Sequence, residues 1–335
     1  MEDELQRVLG YYDLGEPRVA WRVERGFVNV NWVVETAMGH YFVKCRHPSL
    51  RRPDVIRAQH ELVAHLRQKG FPAPAIVPAT SGETLTVLGD EFYEVQSHVE
   101  GSPFDHDRPL HFEAAAGMLG RYHASVAGFA AEPLRQGDLY SPAILHENLA
   151  SLVEAWKLER EPDLAKVAGQ LEARADDLAG RFAHHDGLAH LVIHGDYYAG
   201  NLVFEGDRIV AVVDYDKARW QPRVVELAEA LIYFASPRPG SLKHLVYSGT
   251  LQWEPLMRFV RRYARVITLS ESEARALPDY VRCIWMSVSL QHLSENPRPA
   301  EAREALQEVL ALGDWAAANA QRMTDLVHAA AKELK

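Results

Sequence analysis

Apolar and polar positions follow two different periods along this chain, and the change falls near residue 101. Before it, short β-branched and aromatic runs dominate. "RVAWRVERGFVNVNWVVET" (18–36) and "HYFVKC" (40–45) read as strands. "ETLTVLGDEFYEVQSHV" (83–99) reads as two strands turning at Gly89-Asp90, a dipeptide suited to tight hairpins. One segment breaks the pattern. "PDVIRAQHELVAHLRQKG" (53–70) opens on proline, carries apolar residues at 55, 56, 62, 63 and 66, with 59 weakly in phase, and closes on Lys-Gly. Those are the start and stop signals of an amphipathic helix.

After "EGSPF" (100–104) the 3.6-residue period takes over, in 111–129, 147–160, 163–185 and 223–236 and on toward the C-terminus. The exception is a set of short apolar runs between 191 and 214. The expected architecture is α+β: a small β-rich lobe with one helix over 1–100, a hinge at about 96–101, and a larger, mainly helical lobe over 101–335. A cleft between two such lobes is a favoured place for a ligand.

Composition narrows the classes. The net charge of -10 argues against nucleic-acid or anionic-membrane partners, which call for a basic face. Cys45 and Cys283 are the only cysteines, too few for a disulfide framework, so a reducing, cytoplasmic location is expected. The start "MEDELQRVLG" is acidic and amphipathic rather than a secretory signal, and no apolar run reaches the ~18 residues of a membrane span.

The candidate chemistry sits in "IHGDYYAGNLVF" (193–204) and "VVDYD" (212–216). A strand-turn-strand reading of 201–214, turning at 205–207, brings Asn201 beside Asp214. An amide oxygen and a carboxylate are hard donors that suit Mg²⁺, a cation that shares its remaining positions with phosphates and water. Asp196, on the preceding turn, can accept a proton from a hydroxyl near the same metal. Phosphoryl transfer needs this set of groups. "HELVAH" (60–65) looks like a zinc motif, but histidines five apart point about 140° from each other on a helix and cannot share an ion.

The order H-x-D, N four residues beyond the aspartate, then D after an apolar strand, resembles the protein-kinase-like superfamily. The form "HGD…GN…VVDYD" is similar to its aminoglycoside phosphotransferase and choline kinase branch, which includes homoserine kinases of that fold. The resemblance covers about residues 18–236 and implies a two-lobe kinase-like fold using ATP and Mg²⁺. Carried onto matching positions, it makes Asp196 the catalytic base, with His194 bracing its loop, and Asn201 and Asp214 the metal ligands. It also implies a nucleotide turn with Gly26 and Asn29, a phosphate-binding Lys44 held by Glu61, and an adenine hinge at Ser97 and Val99.

Departures are visible too. Tyr198 stands where protein kinases carry a lysine, Asp216 replaces a glycine, and Glu226 replaces the aspartate of "DLA". Asp216 is read as a helper of the metal, a substrate contact, or a partner of Lys217 or Arg219. The helix starting near 223 begins nine positions after Asp214, too soon for the shelf on which protein kinases bind peptides. The expected partner is therefore a small hydroxyl compound: an amino acid or amino alcohol such as homoserine, a sugar, a choline-like amine or an aminoglycoside. Tyr198, Asp216, Glu229 and Trp285 are candidate contacts to it. A nucleotide-binding pseudokinase with a regulatory role, and less favourably a protein kinase, are the alternatives. Neither an oligomeric state nor one acceptor follows from the sequence.

Overall fold

The computed structural model describes residues 3–23, 28–158, 161–236, 251–295 and 302–333. The first strands are β1 (Pro17–Arg22), β2 (Val30–Thr36) and β3 (Gly39–Cys45). They join β4 (Ile76–Val77), β5 (Thr86–Leu88) and β6 (Glu91–Ser97) in one antiparallel sheet of order β1-β2-β3-β6-β4, with β5 also on β6. The β5–β6 hairpin turns at Gly89-Asp90 as expected, with Gly89 at φ +59°. Alternation along β3 sends Val43 and Cys45 into a core with Trp32, Val34, Tyr93 and Val95. An N-terminal helix, α1 (Asp3–Leu9), closes that face with Leu5, Val8 and Leu9.

The predicted helix is α2 (Pro53–Gln68). Its buried face is Val55, Ile56, Ala58, Gln59, His60, Leu62, Val63 and Leu66. Gly70, at φ +72°, ends it, and the Phe71 N–H caps the Leu66 carbonyl.

Beyond the sheet lie α3 (Pro109–Ser125), α4 (Pro142–Trp156) and α5 (Pro162–Phe182). Next come β7 (His190–Ile193), the hairpin β8 (Leu202–Glu205) and β9 (Arg208–Val212), and β10 (Arg219–Pro222), which pairs with β7. The remaining helices are α6 (Arg223–Ala235), α7 (Trp253–Ala264), α8 (Glu271–Glu295), α9 (Ala302–Ala318) and α10 (Ala320–Lys332). All of α6 is buried, so it serves as the central post on which the loops after β7 and β9 rest. Both cysteines are free and buried. Among the described residues, no helix is long and apolar enough to cross a membrane.

The connection between the two parts is fixed to the β8–β9 hairpin. Ser102 exchanges backbone bonds with Phe204, both at 2.8 Å. Gly101 lies so close that a Cβ there would meet Val203 Cγ1 at 2.5 Å and the Phe204 carbonyl at 2.6 Å. Gly101→Ala is therefore expected to push the linker off the hairpin. It should lower Tm by several degrees, as a cost of ~1–3 kcal/mol does in a chain of this size. A melting curve unchanged from wild type would refute this.

Candidate active site

β7 delivers "HGD" to the surface of α6. His194 is fully buried, and its Nε2 lies 3.0 Å from the Val213 carbonyl, joining the loop after β7 to the end of β9. Gly195 adopts φ +77°, and a side chain there would meet the Lys217 carbonyl at 2.4 Å. Its N–H donates to Glu226 Oε1 at 2.8 Å. Glu226 Oε2 is in turn 2.9 Å from His123 Nε2, whose Nδ1 is 2.7 Å from the Tyr263 hydroxyl. Glutamate at 226 thus braces the loop from inside α6.

Asp196 follows, with its side chain 16% exposed. Lys217 Nζ donates to its Oδ1 at 2.7 Å, and Asn201 Nδ2 donates to its Oδ2 at 3.1 Å and its carbonyl at 2.9 Å. This orients the Asn201 amide so that nitrogen faces Asp196, leaving Oδ1 as the free donor atom. The Val213 N–H meets the Asn201 carbonyl at 3.0 Å, so the hairpin places Asn201 and Asp214 side by side as the sequence implied. Asp214 stands in left-handed backbone at φ +69°, where only one other non-glycine among the described residues, Lys157, is found. Such conformations are costly and concentrate at working sites. Burial pushes the Asp214 carboxyl up, but the Lys44 ammonium outweighs it and holds the group below its usual range. An amide oxygen and an ionised carboxylate make a hard-oxygen set that fits a divalent cation such as Mg²⁺.

Lys44 reaches across from β3. Its Nζ is 3.0 Å from Asp214 Oδ1 and 2.7 Å from Asp216 Oδ1. Glu61, expected as its partner, is exposed on α2. The inward-facing position two residues earlier is Gln59, which donates from Nε2 to the Asp216 carbonyl at 2.8 Å. Within the sheet the carboxylate nearest Lys44 is Glu94, its cross-strand neighbour on β6, at 3.9 Å. Glu94 is fully buried and accepts from Arg46 Nη2 at 2.6 Å, Gln96 Nε2 at 2.7 Å and lies 3.0 Å from His60 Nε2. Burial alone would raise its pKa, but Arg46 and then Lys44 outweigh it, so it stays ionised.

Asp216 is a junction rather than an open contact. It takes Lys44, Arg46 Nη1 at 2.6 Å and Asn29 Nδ2 at 2.5 Å. Lys217 turns to Asp196 instead, and Arg219 bonds the carbonyls of Lys217 and Gly137. Glu61→Ala is accordingly expected to leave nucleotide affinity within about twofold, as substitutions on an exposed face do. Glu94→Gln should weaken it by roughly tenfold or more, because Arg46 and Lys44 lose a buried counter-charge. Equal effects of the two substitutions on nucleotide titrations would contradict this assignment.

The other predicted positions sort as follows. Gly26 lies outside the described residues. At the hinge, the Ser97 N–H and hydroxyl are engaged by Ala75, and the His98 N–H by the His40 carbonyl. No such backbone bond ties down Val99 among the described residues. Tyr198 stacks on Tyr233 at 5.4 Å. Glu229 is buried on α6 and accepts from the Tyr140 hydroxyl at 2.7 Å. Trp285 does not face a cleft. It is fully buried in the helical core, edge-on to Trp315 at 6.0 Å. Sequence reasoning missed Arg46, Gln59, Glu94 and Tyr140, and the roles of Lys217 and Arg219. Only Gln59 left a legible trace, in the phase of α2.

Residues 21–263 match the model of the phosphotransferase enzyme family, APH. Among curated proteins, the homoserine kinase of Methylobacillus glycogenes is 24% identical over 298 residues, covering 88% of this chain and 85% of the relative. The homoserine kinase of Phenylobacterium zucineum is 28% identical over 280 residues, covering 83% and 80%. Among solved structures, an aminoglycoside phosphotransferase from Alicyclobacillus acidocaldarius superposes with a TM-score of 0.67 at 19% identity, over 98% of this chain and 96% of that one. Amicoumacin kinase hAmiN, in complex with AMP-PNP, Ca²⁺ and Ami, gives 0.65 at 15% identity, over 98% and 93%. These last two share the fold, the two-lobe arrangement expected for this class. With the family model spanning both the sheet that carries Lys44 and the loops that carry Asp196, Asn201 and Asp214, the chain belongs to the phosphotransferase enzyme family and is a small-molecule kinase.

Proposed function

We propose that this chain transfers the γ-phosphate of ATP, with Mg²⁺, to the hydroxyl of a small metabolite of the homoserine or amino-alcohol kind. The observation that carries the reading is the meeting of Lys44 from β3 with Asp214 at 3.0 Å, next to Asn201 and Asp196. Lys44 and the residues around Val99 would receive the nucleotide from the sheet side. Asn201 Oδ1 and the Asp214 carboxylate would hold Mg²⁺, which when bound neutralises phosphate oxygens. Asp196 accepts the hydroxyl proton as the oxygen bonds to the γ-phosphorus and the bond from that phosphorus to the β,γ-bridging oxygen breaks, releasing ADP. Lys217, on the other face of that carboxylate, supplies the positive charge that Tyr198 cannot.

Two features favour a small acceptor over a peptide. The segment after Asp214 is held down by buried Tyr215 and Ala218 and then by β10 on β7. α6 follows at once, at Arg223. The homoserine kinase relatives support an amino-acid-like acceptor. The test is a panel of amino acids, amino alcohols, sugars and aminoglycosides incubated with ATP and Mg²⁺, with products read by phosphorus NMR. A new phosphate monoester on one member is expected. Monoester signals absent throughout, with ATP intact, would count against the reading.

A further inference from the structure

Two ionisable groups around the Asp196 turn, Glu229 and Arg219, make no ion pair among the described residues. Glu229 is 2% exposed. Its Oε1 accepts from the Tyr140 hydroxyl at 2.7 Å, but its Oε2 is buried with no partner. Arg219 makes no ion pair among the described residues. It donates from Nε to the Lys217 carbonyl at 3.2 Å and reaches the Gly137 carbonyl from Nη1 at 3.5 Å. A buried polar atom without a partner calls for an explanation, and so does a guanidinium that meets only backbone carbonyls.

Both lie around the catalytic turn. Glu229 is one helical turn beyond Glu226, the brace of Gly195, and one turn before Tyr233, which stacks on Tyr198 two residues from Asp196. The Glu229 carboxyl feels the charges of Asp196, Lys217 and Glu226, and Arg219 feels those of Tyr140 and Glu229. Tyr140, Tyr198, Arg219 and Asp196 are all part-exposed, so solvent reaches the cluster at its edge.

We infer that Glu229 with Tyr140, and Arg219, which reaches the Gly137 carbonyl three residues before Tyr140, form the acceptor subsite for a zwitterionic hydroxy-amino acid. The ammonium donates to Glu229 Oε2, the α-carboxylate meets the free edge of the Arg219 guanidinium, and the hydroxyl is presented to Asp196. Guanidinium matches a carboxylate in shape as well as charge. This assignment rests on the kinase reading for the hydroxyl's destination but not for the binding itself. It makes both Glu229 and Arg219 specificity-determining residues, and it ranks acceptors: hydroxy-amino acids above amino alcohols or hydroxy acids, and those above sugars.

A proton accompanies the binding. Burial pushes the Glu229 carboxyl up to about 8, with Tyr140 and Lys217 pulling it down and Asp196 and Glu226 adding to the rise. In the free protein at pH 7 the group is therefore mostly protonated. An arriving ammonium favours the carboxylate, so binding releases a proton below pH 8 and ceases to do so above it.

Calorimetry with a non-hydrolysable ATP analogue and Mg²⁺ tests this without turnover. The probes are L-homoserine, its decarboxylated counterpart 3-aminopropan-1-ol and its deaminated counterpart 4-hydroxybutanoate. L-homoserine is expected to bind most tightly and to release a proton at pH 7, seen as a dependence of heat on buffer. Glu229→Gln should weaken L-homoserine and 3-aminopropan-1-ol roughly 10- to 100-fold and leave 4-hydroxybutanoate unchanged, the scale of one lost hydrogen bond to a charged group. Arg219→Met should do the reverse, weakening L-homoserine and 4-hydroxybutanoate only. Tyr140→Phe, which keeps the carboxyl and removes one donor, should keep the ranking and so separate recognition from folding. The inference is overturned if L-homoserine binds no better than either counterpart, if no probe binds, or if both charge variants weaken all three equally. Binding as described without any phosphate transfer would leave this subsite standing and remove the kinase reading.

Discussion

Asp196→Ala is expected to lower turnover by ~10²- to 10⁴-fold, the range contributed by a positioned general base, while nucleotide affinity stays near wild type. The geometry accounts for the separation. Asp196 touches Lys217 and Asn201 but none of the groups gathered around Lys44. Asp196→Asn is the sharper variant, because it keeps the shape and a bond to Lys217 or Asn201 while giving up the proton acceptor. Steady-state kcat with a productive acceptor, beside a nucleotide titration, checks both halves. Near-normal kcat in either variant would remove Asp196 from the chemistry. A fall in nucleotide affinity as large as the fall in kcat would mean that it supports the fold of the site instead.

The second large effect belongs to Asp214. Its replacement by alanine is expected to weaken Mg²⁺-dependent nucleotide binding by ~10²-fold or more, exceeding what loss of an outer hydrogen-bond partner of a metal site costs. Binding of nucleotide without metal should change little. Lys44 lies between Asp214 and Asp216. Without Asp214, Lys44 keeps Asp216 and Glu94, so the sheet side of the site persists and the loss is confined to the metal. Because Asp214 sits at φ +69°, asparagine is the better-tolerated replacement there and serves as the control for folding. Calorimetric titration with and without Mg²⁺ reads the result. Unchanged metal-dependent affinity in both variants would exclude Asp214 as a ligand.

Much of this site could be read from the residues because it is local. "IHGDYYAGNLVF" and "VVDYD" are joined by one hairpin, so spacing alone brings Asn201 near Asp214, and the register sets Asn201 against Val213, the residue before Asp214. The two strands around Gly89-Asp90 and the start of α6 at Arg223 follow from equally local signals. The partner of Lys44 was not legible in the same way. Glu94 is 50 residues from Lys44 in sequence, and only the β3–β6 register brings them opposite each other. The choice of Glu61 overlooked the phase of α2, since positions 55, 59, 62, 63 and 66 form one face and 61 lies off it. Lys217 and Arg219 adjoin Asp216 in sequence, but the chain turns after Asp216, so that Lys217 meets Asp196 and Arg219 opens β10 against β7. Trp285 belongs to a helix buried on all sides, and burial of that kind carries no sequence mark that separates a pocket wall from a core.

The central claim is that a phosphate leaves ATP for a hydroxyl, and the most direct measurement follows that phosphate. ATP labelled in the γ-phosphate is incubated with the protein, Mg²⁺ and L-homoserine or another small alcohol, and the label is traced. The account predicts that it appears in a phosphate monoester of the acceptor, at a rate that collapses in Asp196→Asn. Label found only as inorganic phosphate, or attached to protein, would contradict it.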